Sequence, residues 1–214
     1  MDGTVFDTEK IYYRCWIKAA EAIGFRGNMH EVIPTLFGVS ENDIGKYFYE
    51  NWGEDFPYPR MLALRAKFIA EEIEQNGVPL KDGVPRIFET LAQKGISSAL
   101  VSSAPRFRID DFLGRSGLDK IFGCIISGER VERSKPAPDI FLLAAQELGI
   151  LPCECLVAED SKNGVLAGYR AGMRVAMIPD LQPFTEDLRP YVTNLLSSLG
   201  EIEKIVDDKK QTIL

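Results

Sequence analysis

The second part of the sequence alternates short apolar segments with longer amphipathic ones, and this alternation restricts the fold more than any other feature. Short strands separated by helices are typical of a parallel sheet with both faces covered, joined by right-handed crossovers. The sequence therefore predicts an α/β fold with a Rossmann-like parallel sheet. The predicted strands span residues 97–102, 124–127, 155–158 and 174–178, and the helices between and around them span 84–93, 105–116, 137–148 and 162–171.

The first part of the sequence has a different character, because its apolar residues recur at three- and four-residue spacing. Ile11, Cys15, Ala19 and Ile23 illustrate this period, which is typical of amphipathic helices. The predicted helices span residues 9–23, 29–36, 40–52 and 58–75. We therefore predict an all-helical domain at 9–79, inserted into an α/β domain formed by 1–8 and 80–214. The tail predicts a helix over 194–206 and a charged, frayed end over 207–210.

Three of the predicted strand ends carry polar side chains. Ser102 and Ser103 end the first strand, and Lys135 lies in the loop after the second. Glu159 and Asp160 follow the third strand. Because the carboxyl ends of parallel strands lie at one edge of a sheet, we expect these groups to converge. Each also has an ordinary interpretation, as a strand end, a surface lysine or a helix-capping acidic pair, but their recurrence at successive strand ends favours a functional site.

The N-terminal segment predicts a loop that joins the same edge. Gly3 permits turn conformations that are closed to other residues, and Thr4 offers a hydroxyl and an N–H group. Thr8 followed by Glu9 is typical of a helix start. Taken alone, Asp2-Gly3-Thr4 is also compatible with an ordinary acidic turn.

Together these residues suit a phosphate monoester bound with Mg²⁺. The ion prefers a few carboxylate oxygens, water and the oxygens of a substrate phosphate. Hydrogen-bond donors and a cation stabilise the charge that develops in phosphoryl transfer. The predicted metal ligands are Asp2, Glu159 and Asp160, and the predicted phosphate ligands are Gly3, Thr4, Ser102, Ser103 and Lys135.

Composition excludes several other classes of function. The formal net charge is −7, and no cluster of Lys and Arg offers a binding surface for nucleic acid. No apolar run is long enough to cross a bilayer, so we predict a cytoplasmic protein without a membrane partner. With four cysteines at unsuitable spacing and one histidine, the sequence indicates neither a zinc site nor a Ser-His-Asp triad.

The set of segments resembles the haloacid dehalogenase superfamily, in the branch of β-phosphoglucomutase and phosphoglycolate phosphatase with a helical cap. The resemblance implies a Mg²⁺-dependent phosphoric monoester hydrolase that acts on a small phosphorylated metabolite through an aspartyl-phosphate. It implies Asp2, Lys135 and Ser102 as catalytic residues. The matching segments are residues 2–9 (DGTVFDTE), 99–103 (ALVSS), 134–141 (SKPAPDIF) and 159–164 (EDSKNG).

The first motif departs from the family pattern. There it reads Asp-Xaa-Asp-Gly-Thr, in which the first Asp is the nucleophile and the second the general acid and base. Asp2 matches the second Asp and Met1 the intervening residue, so the nucleophile and the middle strand of the sheet would precede Met1. We expect an N-terminal truncation or a start assigned too far downstream. The alternative is a catalytically inactive phosphometabolite-binding or interaction protein that retains the phosphate pocket.

The helical segment bears on the choice of reaction. The mutase branch carries a His and an Arg at the positions of Tyr12 and Glu41, and a glutamate would repel a second phosphate. The resemblance therefore favours hydrolysis, with a sugar-phosphate mutase as the further alternative. We expect the helical domain to act as a lid in which Tyr12, Trp16, Phe37, Gly38 and Val39 face the substrate. The alternative for Tyr12 and Trp16 is that they fill the core of the helical domain itself.

Overall fold

The computed structural model describes residues 1–36, 41–206 and 212–213, without the side chains of 41, 42 and 212. The chain forms two compact units. One consists of Met1–Asp7 and Val78–Leu214, and the other of Thr8–Gly77. We call them the α/β unit and the helical unit.

The helical unit is built around a group of aromatic side chains. Phe48 is fully buried and stacks on Phe56 and Tyr58, with ring centroids 5.0 and 5.5 Å apart. The side chain of Asn28 caps the second helix by accepting a hydrogen bond from the backbone N–H of His30 at 3.1 Å. The four predicted helices are present, the second continuing as a 3-10 turn over Ile33–Leu36. They are α1 (Glu9–Ala22), α2 (Met29–Val32), α3 (Glu41–Trp52) and α4 (Tyr58–Asn76).

The α/β unit confirms the predicted fold class. Strands β1 and β2 pair in parallel, and β3 pairs in parallel with β4. Helices and strands alternate in the predicted order, with α5 and β2 beginning and ending at the predicted residues. The elements are α5 (Val84–Gln93), β1 (Ala99–Ser102), α6 (Arg106–Ser116), β2 (Cys124–Ser127), α7 (Asp139–Leu148), β3 (Cys155–Glu159), α8 (Lys162–Arg170) and β4 (Arg174–Met177).

The prediction of a helix over residues 194–206 is wrong. Asn194–Leu195 forms strand β5, parallel to β4, and Leu199–Lys204 forms a 3-10 turn. The backbone N–H of Leu196 donates to the carbonyl of Met177 at 2.9 Å, so pairing with the sheet replaces helical bonds. Leu199 and Ile202 are buried at 4% and 0% exposure. Their three-residue spacing suits a 3-10 turn as well as an α-helix, which explains the misleading pattern.

A short C-terminal strand, β6 (Thr212–Ile213), links the two groups of strands. It pairs in parallel with Cys155 and Leu156 of β3, and the N–H of Ile213 donates to the carbonyl of Ser97 at 3.0 Å. The strand therefore lies between β3 and the residues that precede β1. An apolar cavity lies in the same region, lined by residues that include Met1, Ala99, Val101, Ala158 and Ile213. The predicted frayed end over 207–210 lies outside the described residues.

The core of the α/β unit lies against the central strands. Val157 of β3 and Val175 of β4 are fully buried. Val165 of α8 is also fully buried, and Phe141 of α7 is 1% exposed. These positions fix the two helices that begin in the loops after Lys135 and Asp160. None of the described helices is long and apolar enough to span a membrane.

Candidate active site

The N-terminal loop is held tightly by its own backbone. The N–H groups of Val5 and Phe6 both donate to the carbonyl of Met1, at 2.8 and 3.1 Å, and the N–H of Gly3 donates to the carbonyl of Phe6 at 2.9 Å. Gly3 has a φ of +72°, a conformation that residues with a Cβ rarely adopt. The sequence therefore folds Asp2-Gly3-Thr4 into a loop with one fixed shape.

This loop meets the segment that follows β3. The hydroxyl of Thr4 donates to Oδ1 of Asp160 at 3.2 Å, and Thr4 is 5% exposed. A Cβ atom on Gly3 would lie only 2.1 Å from Oδ2 of Asp160, so only glycine permits this approach. The expected convergence of the N-terminal loop with the carboxyl end of the third predicted strand is thus present in the structure.

A buried ion pair lies beside this contact. The ammonium of Lys135 contacts Oε1 of Glu159, and the two side chains are only 10% and 7% exposed. Oγ of Ser161 donates to Oε2 of Glu159 at 3.0 Å. Burial opposes the charge of Glu159, but the ammonium of Lys135 and its hydrogen bond outweigh it and lower the pKa of the carboxyl. Glu159 is therefore ionised and fixes the position of the lysine head group.

The Glu159 carboxylate is closely packed against helix α8. A Cβ on Gly164 would lie 2.0 Å from Cδ of Glu159, so helix α8 can pass this carboxylate only with a glycine at that position. Ser161 caps α8 through a hydrogen bond from the N–H of Gly164 to its Oγ at 3.1 Å. Nζ of Lys135 also lies 4.7 Å from the ring centroid of Phe141.

The structure separates the predicted metal ligands into two contacts. Asp160 faces Thr4 in the N-terminal loop, whereas Glu159 faces Lys135 and Ser161. Within the described part of the chain, no group of three or more His, Cys, Asp or Glu side chains is arranged to hold a metal ion. A magnesium site formed by Asp2, Glu159 and Asp160 thus stays a prediction.

The predicted phosphate ligands of the first strand end are also placed. Ser102 is 5% exposed, and its Oγ accepts a hydrogen bond from the N–H of Ala104 at 3.1 Å, which leaves the hydroxyl proton available to a ligand. Ser103 is exposed. A Cβ on Gly128 would lie 2.7 Å from the carbonyl oxygen of Ser103, so the loops after β1 and β2 pack together.

The predicted substrate-facing residues of the helical unit lie partly in its core. Trp16 is 5% exposed and packs 6.1 Å from the ring of Phe48, which agrees with the alternative interpretation of that position. The guanidinium of Arg65 lies over the rings of Trp16 and Tyr12, at 4.4 and 5.5 Å. Phe37, Gly38 and Val39 lie outside the described residues, as does the side chain of Glu41.

No sequence motif indicates a second cluster of charged residues in the α/β unit. The ammonium of Lys81 lies 3.0 Å from Oδ1 of Asp7 and 2.8 Å from Oδ1 of Asp180. These three residues are far apart in the sequence and belong to no recognisable motif.

Comparison with known proteins identifies the family of the chain. Residues 1–178 match the haloacid dehalogenase-like hydrolases. The chain is 31% identical over 184 residues to the phosphorylated carbohydrates phosphatase of Thermotoga maritima, covering 81% of this chain and 79% of that protein. It is 27% identical over 203 residues to hexitol phosphatase B of Escherichia coli O157:H7, covering 94% and 91%.

The fold has a close counterpart among solved structures as well. The crystal structure of β-phosphoglucomutase from Clostridium difficile superposes with a TM-score of 0.73 at 21% identity, covering 94% of this chain and 89% of that one. The match of the family over most of the chain, the phosphatase relatives and the placement of the motif residues at the strand ends lead to one conclusion. This chain belongs to the family of haloacid dehalogenase-like hydrolases.

Proposed function

We propose that this protein is a Mg²⁺-dependent phosphatase that hydrolyses a small phosphorylated metabolite through an aspartyl-phosphate, formed on the Asp that the family motif places immediately before Met1. The observation that carries the proposal is the contact between Thr4 and Asp160 at 3.2 Å, with Gly3 making room for it. It brings the hydroxyl of one loop to a carboxylate of another. The names of the relatives point to phosphorylated carbohydrates and hexitols as the substrate class.

Lys135 and Asp2 have separate tasks in this proposal. The ammonium of Lys135, held by the ionised Glu159, supplies a fixed positive charge for the phosphate oxygens. The hydroxyl of Ser102 donates a hydrogen bond to the same phosphate oxygens. Asp2 protonates the leaving oxygen and then removes a proton from the attacking water, which is the role of a general acid and base.

The donor set fits a magnesium ion only in part, and the fit indicates which residues would hold it. Mg²⁺ commonly binds through one or two carboxylates, with water and substrate phosphate completing its shell. Asp160 and the carbonyl oxygen of Asp2 would be the protein donors on the side of the N-terminal loop. Glu159 is the weaker candidate because its carboxylate is engaged with Lys135 and Ser161. The ion would neutralise charge on the transferred phosphoryl group.

The proposed reaction needs a carboxylate immediately before Met1, which is the nucleophile position of the family motif. The test compares the chain that begins at Met1 with the same chain preceded by an apolar segment whose last residue is Asp. We expect the extended protein, supplied with Mg²⁺, to release phosphate from sugar and hexitol phosphates, and the chain beginning at Met1 to release almost none. An extended protein that folds but turns over no phosphate monoester would refute the proposal, as would efficient turnover by the shorter chain.

Binding of a phosphometabolite without turnover is the second candidate for the chain that begins at Met1. Lys135 and the buried Ser102 provide phosphate donors that do not depend on a nucleophile. Calorimetry with inorganic phosphate and Mg²⁺ would detect this binding directly. Mutase activity is disfavoured, because Tyr12 packs against Arg65 and has no imidazole for proton transfer.

We also propose that the protein works in a reducing compartment such as the cytoplasm. Its four cysteines are free, and Cys15 and Cys155 are buried. Burial raises the pKa of the Cys155 thiol to about 11, so the thiol stays protonated and unreactive. Labelling of thiols in freshly prepared protein should therefore find four reduced cysteines after denaturation.

A further inference from the structure

The α/β unit contains a short ribbon that ties the N-terminal loop to the segment before α5. The N–H of Asp7 donates to the carbonyl of Pro79 at 2.9 Å, and the N–H of Lys81 donates to the carbonyl of Val5 at 2.9 Å. Between these bonds, Phe6 and Leu80 form an antiparallel bridge. The loop that carries Asp2 therefore has one end anchored by only a few backbone bonds.

The side chain of Lys81 reinforces this ribbon. Its ammonium lies 3.0 Å from Oδ1 of Asp7 and 2.8 Å from Oδ1 of Asp180, which follows β4. The three side chains are 22%, 28% and 9% exposed, so the cluster is largely removed from water. Burial lowers the pKa of Lys81, but hydrogen bonds to Asp180 and Asp7 outweigh it and raise the pKa overall. One ammonium thus joins the end of the N-terminal loop to the sheet.

We propose that Lys81 is a positioning residue that fixes the N-terminal loop in its phosphate-binding shape by linking Asp7 to Asp180. Without the ammonium, two carboxylates at the same partly buried place repel each other, and Asp7 is the partner that can move because it lies in a loop. A shift of Asp7 loosens the bonds of Val5 and Phe6 to Met1, and with them the approach of Gly3 and Thr4 to Asp160.

The proposal rests on the proposed function for its consequence in phosphate binding, but not for its structural part. The test therefore measures both. Amide hydrogen exchange of Val5, Phe6, Asp7 and Lys81, all hydrogen-bonded in the structure, reports the order of the loop. Calorimetric titration with inorganic phosphate and Mg²⁺ reports binding by the full chain.

Three variants separate charge from size. Lys81→Met keeps the length of the side chain without its charge, and Lys81→Arg restores the charge. Lys204→Met is the matched control, because Lys204 also pairs with a carboxylate, Glu201 at 3.0 Å, but is 73% exposed and far from the loop in sequence. Asp180→Asn removes one carboxylate and leaves Lys81 paired with Asp7.

Lys81→Met is expected to speed exchange of the four loop amides about tenfold or more relative to Val175 of β4, and to weaken phosphate binding by about tenfold. Lys81→Arg should restore most of both, Lys204→Met should change neither, and Asp180→Asn should have a smaller effect on the loop.

Unchanged loop exchange in Lys81→Met would overturn the proposal, as would equal acceleration at Val175, which would indicate a general loss of stability. If the unchanged chain binds no phosphate, phosphate binding by the chain that begins at Met1 is refuted, and the exchange data still decide the role of Lys81.

Discussion

Replacing Glu159 by Gln is expected to destabilise the α/β unit by about 3 kcal/mol, because the ammonium of Lys135 would be buried without a counter-charge. The two side chains are 10% and 7% exposed, so water compensates little. Removal of one partner of a buried pair costs about 3–5 kcal/mol. The amide oxygen can still accept the bond from Ser161, which places the loss at the lower end. For a chain of this size the midpoint of thermal unfolding should fall by about 6–12 °C.

The assay must distinguish the two units. Both tryptophans, Trp16 and Trp52, belong to the helical unit, so their fluorescence reports that unit alone. Amide exchange of the buried strand residues Val157 and Val175 reports the α/β unit. A control is Glu186→Gln, because Glu186 lies 3.7 Å from Arg189 and is 82% exposed. That variant should change stability by less than about 1 kcal/mol.

The dependence of stability on pH in the acid range gives an independent check of the contact between Glu159 and Lys135. Burial alone would raise the pKa of Glu159, but the charge of the Lys135 ammonium and its hydrogen bond together have the larger effect, and the pKa lies below its ordinary value of 4.5. A carboxyl whose folded pKa is depressed stabilises the protein above its unfolded pKa, and this stability is lost as the pH falls through the folded pKa. Wild-type protein should therefore lose stability below about pH 4.5, and Glu159→Gln should flatten that part of the curve.

A double-mutant cycle decides whether the contact is responsible. Lys135→Met combined with Glu159→Gln should cost clearly less than the sum of the single changes, since neither charge then remains buried alone. If the two losses add within about 0.5 kcal/mol, the side chains are not coupled and the reasoning is refuted.

Two further predictions concern the N-terminal loop. Gly3→Ala should weaken phosphate binding more than about tenfold, because its Cβ would lie 2.1 Å from Asp160. Gly172→Ala is the control, since Gly172 has a φ of +74° and nothing within 4 Å of its Cβ position, and equal effects would contradict the steric argument. In the extended protein, Asp2→Asn should lower kcat by about 10²–10⁴ with little change in phosphate affinity, as measured by steady-state kinetics and calorimetry. A change in affinity alone would contradict the assigned role.

Local patterns predicted most of the fold because the relevant signals are local. An apolar run between turn residues fixed β2 at Cys124–Ser127, and Gly83 followed by Pro85 fixed the start of α5. Because the carboxyl ends of parallel strands lie at one edge of the sheet, the topology was enough to predict that the loops of Thr4 and Asp160 meet. The prediction for the segment after Thr193 was wrong for the opposite reason. Two-residue strands such as β5 and β6 depend on partners elsewhere in the sheet, and no pattern within the segment specifies them.

The same limit applies to the site. The types of residue at the strand ends were predictable, but their pairing was not. Glu159 and Asp160 are adjacent in sequence and chemically alike, yet one faces Lys135 and the other faces Thr4. Alternation along an extended chain sends neighbouring side chains in opposite directions, and Gly164 of α8 passes close to the carboxylate of Glu159. The ion pairs of Lys81 were not predicted because both partners, Asp7 and Asp180, lie far from it in the sequence.

The charges of the proposed site lead to its requirement for a cation. Glu159 and Asp160 contribute two negative charges and Lys135 one positive charge, and Asp2 adds a further negative charge whenever it has given up its proton. Lys135 is largely neutralised by Glu159, so the remaining negative charge lies where the N-terminal loop meets Asp160. A dianionic phosphate monoester would be repelled there, and repulsion between charges is strongest where water is excluded. Backbone N–H groups and the start of α8 offset only part of this charge. A divalent cation held by Asp160 would balance this charge. The carboxylates therefore disfavour phosphate alone but would favour phosphate that binds together with a metal ion.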